Sequence, residues 1–330
     1  MTNTSASRVV IAGTGSYLPE RVLTNAELEK MVDTTDEWIV TRTGIRERRI
    51  AAVDEATSDM AAAAALRAME AAGVQPDQID LILVATVTPD SLFPNTACLV
   101  QQKIGAKRAF CFDLSAACSG FLYGLETARC MIEAGSVKTV LVIGADKLST
   151  VTDWTDRATC VLFGDGAGAA VLRAGGPGGI LGSVMGSDGS LADLLKIPAG
   201  GSRIPASAES VAQRQHYIRM VGNEVFKHAV RCMCDAGQEV VRRCGFTMDD
   251  VTWIIPHQAN MRIIQAIASR VSNGLDRFCV NLDRVGNLSA ASIPVALDEA
   301  VRDGRIARGQ RVLFVAFGGG FTWGASLVEW

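Results

Sequence analysis

The stretch DLSAACSGF, residues 113–121, places one cysteine in a setting that suits a nucleophile. Cys118 is surrounded by alanine, serine and glycine, follows the apolar run AFCFDL and precedes a helical pattern. At a helix N-terminus, unpaired N–H groups and the positive end of the helix dipole favour thiolate over thiol. Cysteine is more often a buried packing residue. The small neighbours and the expected helix start favour a reactive role for Cys118.

Two further polar residues could act together with Cys118. His257 in PHQAN follows the strand pattern WIIP, and Asn287 lies in GNLSAAS. A satisfied core histidine and a turn asparagine are the structural alternatives for these two positions. His216 and His228 lie in a polar stretch and in an amphipathic helical pattern, and we interpret both as structural.

A glycine-rich segment could supply hydrogen-bond donors to the same site. The stretch AFGGGFTWGAS places Gly318, Gly319 and Gly320 directly after a strand pattern. Backbone N–H groups at such glycines can approach a ligand closely and donate to an oxyanion. A tight connection within a buried sheet is the alternative.

The hydrophobic periodicity predicts an α/β protein. Short β-branched apolar runs predict strands, and longer patterns of helical period lie between them. This alternation indicates largely parallel, buried sheets. The predicted strands are 9–13, 81–86, 140–145, 180–185, 253–257 and 312–317, and the predicted helices are 57–73, 119–135, 221–245 and 291–304.

The two halves of the chain repeat the same order of elements at an offset of roughly 171 residues. The Cys118 segment matches GNLSAAS, and VLVIGA matches VLFVAF. We therefore predict two units, 1–177 and 178–330, joined at the glycine-rich RAGGPGGILG. Their equivalent strand ends would converge on one site, as ligand sites do at the carboxyl ends of parallel strands.

Composition excludes several classes of function. The chain has 330 residues and a formal net charge of −3, which gives no general attraction to nucleic acid or to an anionic membrane. Its apolar runs are too short to span a bilayer, and its first residues, MTNTSASRVVIAG, lack the pattern of a signal peptide. Nine scattered cysteines without a C-x-x-C pair indicate reduced thiols. We predict a cytoplasmic protein.

Other cofactor and catalytic motifs are missing from the sequence. GTGSYL lacks the third glycine of a dinucleotide-binding fingerprint, and GDGAGAAVLRAGG runs into a strand-like segment rather than a helix. The sequence has neither a G-x-S-x-G elbow nor a spacing typical of metal ligands. We expect no metal and no cofactor.

Across nearly its whole length the chain resembles β-ketoacyl-acyl carrier protein synthase III, a thiolase-fold condensing enzyme. The resemblance implies two pseudo-symmetric halves packed in the layer order α/β/α/β/α, a homodimer, and a catalytic set of Cys118, His257 and Asn287. It is carried by DEWIVTRTGIRERR, DLSAACSGF, RATCVLFGDGAGAAVL, GNEVFKHAV, PHQANMRII, GNLSAASIP and FGGGFTWGASLV.

The resemblance also implies the reaction. The Cys118 thiolate would take the acyl group of an acyl-CoA primer, with N–H groups at Cys118 and Gly319 forming the oxyanion hole. Malonyl-acyl carrier protein would then lose CO₂, with the enolate oxygen held by His257 and Asn287, and the carbanion would attack the acyl group. This ping-pong reaction initiates type II fatty acid synthesis. CoA is a substrate in it, not a cofactor.

Binding residues follow from the same resemblance. Trp38 and Arg157 match a tryptophan and an arginine that hold adenine, and Thr34, Arg42 and Asn260 match other CoA contacts. The alternative is that Trp38 is partly exposed packing and that the arginines pair with neighbouring acids.

Three more positions have implied roles at the edges of the site. Lys227 and Arg262 match basic residues that contact the carrier protein or the pantetheine phosphate, although a solvated charged face is the alternative. Phe93 matches a residue that crosses the dimer interface to close the partner's acyl pocket, and core packing is its alternative.

Other functions remain open at the level of sequence. A sibling condensing enzyme or acyltransferase of secondary metabolism would keep the same catalytic set. A degradative thiolase would need a second cysteine in the C-terminal glycine loop, and FGGGFTWG has none. A non-catalytic acyl-binding module is the alternative of another class. Leu288 stands where the family often has threonine, so we expect a polar contact beside Asn287 to be missing and the pocket to differ in shape.

Overall fold

Two β-sheets form the centre of the fold in the computed structural model, which describes residues 8–272 and 274–330. In chain order the first elements are β1 Val9–Tyr17, β2 Arg21–Thr24, α1 Asn25–Leu28, α2 Asp36–Thr43, β3 Glu47–Ile50, α3 Thr57–Ala72, β4 Leu81–Ala85, α4 Thr96–Ile104, β5 Phe110–Leu114, α5 Gly120–Glu133, β6 Thr139–Lys147, α6 Arg157–Cys160 and β7 Asp165–Ala174. They are followed by β8 Gly179–Ser187, β9 Leu195–Lys196, α7 Ala208–Ala212, β10 Arg219–Met220, α8 Gly222–Arg243, β11 Trp253–Pro256, α9 Met261–Val271, α10 Leu282–Val285, α11 Ser292–Arg302, β12 Arg311–Gly318 and β13 Thr322–Glu329.

The two large sheets are mixed rather than largely parallel. Their strand orders are β1-β7-β6-β4-β5 and β11-β12-β13-β8. Parallel pairing is confined to β6-β4-β5 and to β11-β12, and the remaining pairs in these sheets are antiparallel. The prediction of largely parallel sheets was wrong because β13 returns along β12 after only Gly319–Phe321, and such a short connection permits only antiparallel pairing.

The layer order α/β/α/β/α is confirmed. Helices α5 and α11 lie between the two sheets and contact strands of both. Helix α3 covers the outer face of the first sheet, and α8 covers the outer face of the second. The middle layer buries large apolar side chains from both helices and both sheets, among them Phe121, Leu297 and Phe314.

The outer helix α3 shows how the sequence permits this packing. Its run of alanines favours a helix and presents a nearly flat surface. Strand β1 presents Gly13 and Gly15 to that surface, where a Cβ atom would lie 2.4 Å from backbone atoms of α3. The helix and the sheet therefore approach to backbone contact.

The two sheets repeat one another in register. Leu81 pairs with Val140 in the first sheet, and Trp253 pairs with Val312, each 172 positions later, in the second. The short helical turns Ala117–Ser119 and Ser289–Ala291 occupy equivalent places before α5 and α11. The offset agrees with the repeat expected from the sequence. The division into units 1–177 and 178–330 stays a prediction.

Within residues 8–272 and 274–330, the structure has no helix that is both long and apolar enough to cross a membrane. Residues 1–7, on which the expectation about a signal peptide partly depends, lie outside the described residues. The cytoplasmic location stays a prediction.

Candidate active site

One cavity of about 780 Å³ brings together Cys118, His257 and Asn287. These residues come from three separate elements: the turn before α5, the segment after β11 and the turn before α11. Much of the wall is apolar. Other residues with expected roles that line the same cavity are Gly319, Trp38, Arg42, Asn260 and Arg262.

Cys118 is held in a tight turn between β5 and α5. The preceding residue, Ala117, has φ of 45°, in the left-handed region that residues other than glycine rarely adopt. Two bonds fix this turn against the start of β13: Thr322 Oγ1 donates to the Ala116 carbonyl at 2.9 Å, and Ser119 Oγ donates to the Thr322 carbonyl at 3.0 Å. The turn thus depends on a strand from the second sheet.

The thiol of Cys118 differs from the sequence expectation in its acidity. Burial raises its pKa to about 12, and the charge of Asp146 acts in the same direction. The N–H groups of Cys118 and Gly319 lower the pKa, but they do not offset the loss of hydration. Burial therefore acts against the thiolate that the helix N-terminus is expected to favour, and a reactive thiolate at Cys118 stays a prediction.

The glycine loop lies directly against the nucleophile. A Cβ atom on Gly318 would lie 2.6 Å from the backbone nitrogen of Cys118, so a side chain has no room there. Gly319 follows, and its N–H is close enough to the sulfur to affect the acidity of the thiol. The oxyanion hole formed by the N–H groups of Cys118 and Gly319 stays a prediction.

His257 is buried and uncharged. Only 2% of the residue is exposed, and burial lowers the pKa of its imidazole to about 3. Its backbone N–H donates to the Val315 carbonyl at 2.8 Å, which fixes the residue beside β12. Nδ1 is buried without a hydrogen-bond partner among the described residues, and the residue lines the cavity.

Asn287 is held by its backbone and by its side-chain oxygen. Its N–H donates to the Leu162 carbonyl at 2.9 Å, and its carbonyl accepts from Gly164 N–H at 3.0 Å. Oδ1 accepts the N–H of Ser289 at 2.9 Å. Because an N–H can only donate, this bond fixes the amide orientation and leaves Nδ2 as a donor toward the cavity.

The expected CoA residues form a cluster around Trp38. The guanidinium carbon of Arg157 lies 4.8 Å from the centre of the Trp38 ring, and that of Arg42 lies 5.8 Å from it. Arg157 also donates to the Asp33 carbonyl at 2.9 Å. Thr34 Oγ1 is buried without a partner in the described chain. Trp38 and Arg157 are in direct contact, so no gap for a base exists between them in this structure.

Asn260, Arg262 and Lys227, which the resemblance places at the entrance of the site, have different surroundings. Asn260 caps α9 by accepting the Arg262 N–H at 2.8 Å, and its Nδ2 donates to the Arg42 carbonyl at 3.1 Å. The guanidinium of Arg262 lies over the Phe226 ring. Lys227 is exposed, pairs with Glu224 at 2.8 Å and does not line the cavity.

Phe93 and Leu288 both lie away from the cavity of this chain. Phe93 is 86% exposed, so core packing, its structural alternative, does not occur within the described chain. Leu288 is fully buried in a small apolar cluster with Val285 and Val295, and its side chain does not line the cavity. The effect of Leu288 on the pocket beside Asn287 stays a prediction.

Sequence reasoning missed two residues beside Cys118. Asp146 is fully buried near the end of β6, where its Oδ2 accepts the N–H of Ala290 at 3.3 Å, and Ser289, which precedes Ala290, lines the cavity. A carboxylate ending the otherwise apolar VLVIGA run was the available signal for Asp146. The described part of the chain contains no group of three or more His, Cys, Asp or Glu residues arranged to hold a metal ion.

Comparisons with known proteins agree with this geometry. Residues 112–189 match the family model for 3-oxoacyl-[acyl-carrier-protein (ACP)] synthase III, and residues 241–330 match the model for its C-terminal part. A curated β-ketoacyl-[acyl-carrier-protein] synthase III of Caldanaerobacter subterraneus is 56% identical over 97% of both chains. This chain belongs to the β-ketoacyl-[acyl-carrier-protein] synthase III family. It is thus an acyl-transferring condensing enzyme with the thiolase-like fold expected from the sequence.

Solved structures show the same similarity. The crystal structure of 3-oxoacyl-[acyl-carrier-protein] synthase III from Aquifex aeolicus is 49% identical, with a TM-score of 0.90, and the match covers 98% of this chain and 100% of that one. The priming β-ketosynthase from the R1128 polyketide biosynthetic pathway is 36% identical, also with a TM-score of 0.90, and the match covers 99% and 98%.

The raised pKa of Cys118 predicts a steep pH dependence for its modification. Because only the thiolate reacts, alkylation of Cys118 by iodoacetamide should accelerate about tenfold for each pH unit between about pH 7 and 10. The rate is measured by peptide mapping, with Cys118→Ser as the control for the other cysteines. A plateau above pH 8 would show that the helix N-terminus dominates instead.

Proposed function

We propose that this chain condenses an acyl-CoA primer with malonyl-acyl carrier protein, giving β-ketoacyl-acyl carrier protein, CoA and CO₂. The observation that carries the proposal is the presence of a thiol, a neutral imidazole and an oriented amide in one cavity of a chain from this family. The greater identity to the fatty acid enzymes than to the polyketide enzyme favours initiation of fatty acid synthesis.

In the first half-reaction, Cys118 attacks the thioester carbonyl of the primer. The thiol loses its proton, sulfur bonds to the acyl carbon, and CoA departs with a proton. The developing oxyanion accepts the N–H groups of Cys118 and Gly319, which are rigid because Gly318 packs against the Cys118 backbone. Such preorganised donors stabilise the transition state without reorganisation.

In the second half-reaction, malonyl-acyl carrier protein loses CO₂ and leaves an enolate. Nε2 of His257, as an N–H, and Nδ2 of Asn287 donate to the enolate oxygen. Because burial lowers the pKa of His257 to about 3, the imidazole is neutral at physiological pH. A neutral imidazole and an amide are weak acids, so they stabilise the enolate without protonating its carbon. That carbon then attacks the acyl group on Cys118, the bond between the acyl carbon and the sulfur breaks, and the Cys118 sulfur leaves and takes up a proton from solvent, which restores the free thiol.

The proposed reaction assigns every step to side chains, backbone N–H groups and the two thioester substrates. It needs no metal ion and no further cofactor, because CO₂ loss generates the carbanion and the thioester on Cys118 supplies the electrophile.

Separating the two half-reactions tests this function. Acylation by a panel of acyl-CoAs, followed by intact mass and peptide mapping, should label Cys118 and should disappear in Cys118→Ser. His257→Ala and Asn287→Ala should keep acylation within a fewfold, whereas CO₂ release and condensation fall roughly 10²-fold or more. The primer that acylates fastest identifies the natural starter.

Two results would contradict the assignment. Absence of acylation by any primer would favour the non-catalytic acyl-binding module. Acylation of Cys118 without condensation would favour an acyltransferase that uses a different second substrate.

We also propose that the Trp38 cluster binds the adenine of CoA between the indole and Arg157. The proposal is supported by the planar cation over the Trp38 ring and by Trp38 and Arg42 at the cavity wall. The guanidinium of Arg157 must move off the ring to admit the base.

Five further residues are proposed as contacts of the substrates. Thr34 Oγ1, Asn260 and Arg42 would contact CoA, and Arg262 and Lys227 would contact the pantetheine phosphate or the carrier protein.

Replacing Trp38 should weaken the binding of only one of the two substrates, acyl-CoA. Trp38→Ala should raise KM for acyl-CoA roughly tenfold, because stacking a base on an aromatic ring contributes about 1–3 kcal/mol. KM for malonyl-acyl carrier protein should stay unchanged because the carrier has no adenine, and Trp38→Phe should retain much of the affinity. Steady-state kinetics with each substrate varied in turn measures both values. Equal increases in the two KM values would point to a general structural defect.

We propose a homodimer in which Phe93 reaches the partner's acyl pocket. Leu92 and Phe93 are 84% and 86% exposed in one loop, and β5 is an edge strand of the first sheet with Phe110 also exposed. Adjacent apolar side chains and an open strand edge are typical of a surface that another chain covers.

Sedimentation velocity measures this assembly. The wild type should sediment as a species with twice the mass of one chain. The double substitution Leu92→Ser and Phe93→Ser should shift the measured mass toward that of the monomer. Val53→Ser, at an equally exposed apolar residue elsewhere, should leave the mass unchanged. A monomeric wild type would refute the dimer.

A further inference from the structure

Arg48 in β3 is a fully buried cation whose hydrogen-bond acceptors within the described chain are all uncharged. Nη1 donates to the Leu23 carbonyl at 3.1 Å and to Asn25 Oδ1 at 2.9 Å. Nη2 donates to Asn25 Oδ1 at 2.9 Å and to the Val161 carbonyl at 3.0 Å. Burial lowers the pKa of Arg48 to about 10, so the guanidinium stays charged at neutral pH. Burying a charge away from an opposite charge is costly, which makes the use of arginine here specific.

The bond to Val161 connects Arg48 with the backbone of Asn287. The residue after Val161 is Leu162, whose carbonyl accepts the N–H of Asn287 at 2.9 Å. Two positions later, the N–H of Gly164 donates to the Asn287 carbonyl at 3.0 Å. The segment 161–164 therefore holds Asn287 on both sides of its residue, and the guanidinium holds the start of that segment.

The stem of Arg48 also packs against the turn that carries Asn287. A Cβ atom on Gly286 would lie 3.1 Å from Cβ of Arg48, so the two backbones are in close contact. The N–H of Arg46 donates to the Asp283 carbonyl at 2.9 Å and fixes the chain before β3 to α10. Arg48 thus supports this turn through its stem and through its charged end.

The other two groups proposed for catalysis are held by different elements. The turn with Cys118 is fixed by Thr322 Oγ1, and the backbone of His257 is fixed by the Val315 carbonyl. None of the hydrogen bonds of Arg48 within the described chain reaches these elements. Loss of the guanidinium is therefore expected to disturb the asparagine turn more than the nucleophile.

We propose that Arg48 is a positioning residue for Asn287: its guanidinium holds the segment 161–164, and that segment sets where the amide lies in the cavity. The inference rests on the proposed function, in which this amide donates to the enolate oxygen. Arg48 does not line the cavity, so it acts through Asn287 and touches no substrate.

The geometry explains why arginine suits this place. A guanidinium is a planar fork whose N–H groups point in fixed directions, so one side chain can bind several acceptors at defined angles. Here the fork joins the carbonyl of Leu23 in β2, the side chain of Asn25 and the carbonyl of Val161. These acceptors come from distant parts of the sequence, and the fork fixes the 161–164 segment relative to β2 and β3.

Hydrogen exchange followed by mass spectrometry tests the positioning without any substrate. Arg48→Met keeps an unbranched side chain and removes all donors. Because the lost bonds are charge-assisted, amides in peptides covering 161–164 and 285–289 should exchange roughly tenfold faster. A peptide covering 115–119 should be unchanged. Thermal unfolding confirms that the variant is folded, and Arg48→Lys replaces it if Arg48→Met does not fold.

Arg277→Met is the matched control. Arg277 Nη1 also donates to two backbone carbonyls, those of Met248 and Val251, at 2.8 Å each, but the residue lies away from the cavity. This variant should leave exchange in the 161–164 and 285–289 peptides unchanged, together with both half-reactions.

The half-reactions separate positioning from a general loss of structure. Arg48→Met should keep acylation of Cys118 within about threefold and lower CO₂ release from malonyl-acyl carrier protein roughly tenfold. In an Asn287→Ala background, the same substitution should lower CO₂ release by no more than about twofold, because the amide that it positions is already absent.

Three results would overturn the proposal: unchanged exchange at 285–289, equal losses in the two half-reactions, or a further tenfold loss of CO₂ release in the double variant. If the wild type neither acylates nor condenses, the proposed function fails. The exchange measurement still decides whether Arg48 holds the Asn287 turn, so the two failures are distinguishable.

Discussion

The structure depends on close backbone contact between the strand ends of one half and the turns of the other. A Cβ atom on Gly318 would lie 2.6 Å from the Cys118 nitrogen, and one on Gly144 would lie 2.2 Å from the Ala290 carbonyl oxygen. No side chain fits at either place, and Ala117 and Ser289 take left-handed backbone angles there. Such conformations cost about 1–3 kcal/mol each and persist where the surrounding packing enforces them. The catalytic cysteine is thus placed by contacts between distant parts of the chain.

The same burial determines the electrostatics of the site. Burial raises the pKa of the Cys118 thiol to about 12 and lowers that of the His257 imidazole to about 3, which favours the neutral form of both. Burial therefore disfavours a resting pair of thiolate and imidazolium. Catalysis has to rely on donors already aimed at the places where negative charge develops, and the N–H groups of Cys118 and Gly319 and the Asn287 amide are such donors.

The sequence predicted the parts of the site that local patterns encode. Strand ends, the turn before α5 and the glycine loop all follow from spacing, and the repeat indicated that Cys118, His257 and Asn287 converge. The sequence did not indicate the burial that raises the pKa of Cys118, because the helix dipole is a local effect, whereas desolvation depends on residues far away in sequence. Ser289 and Asp146 were missed for the same reason, since neither is remarkable until the fold brings them to the thiol. The antiparallel strand β13 was not predicted, because the glycine-rich connection Gly319–Phe321 that precedes it resembles a ligand-binding loop.

The repeat also explains why a symmetric frame holds one asymmetric site. In the common register, Cys118 is equivalent to Ala290, His257 to Ala85, and Asn287 to Ser115. Each reactive residue is therefore matched by a small one in the other half, and the backbone that positions it is present twice. The site therefore draws Cys118 from the first half and His257 and Asn287 from the second, because the packing of the turns against opposite strand ends brings both halves to one cavity.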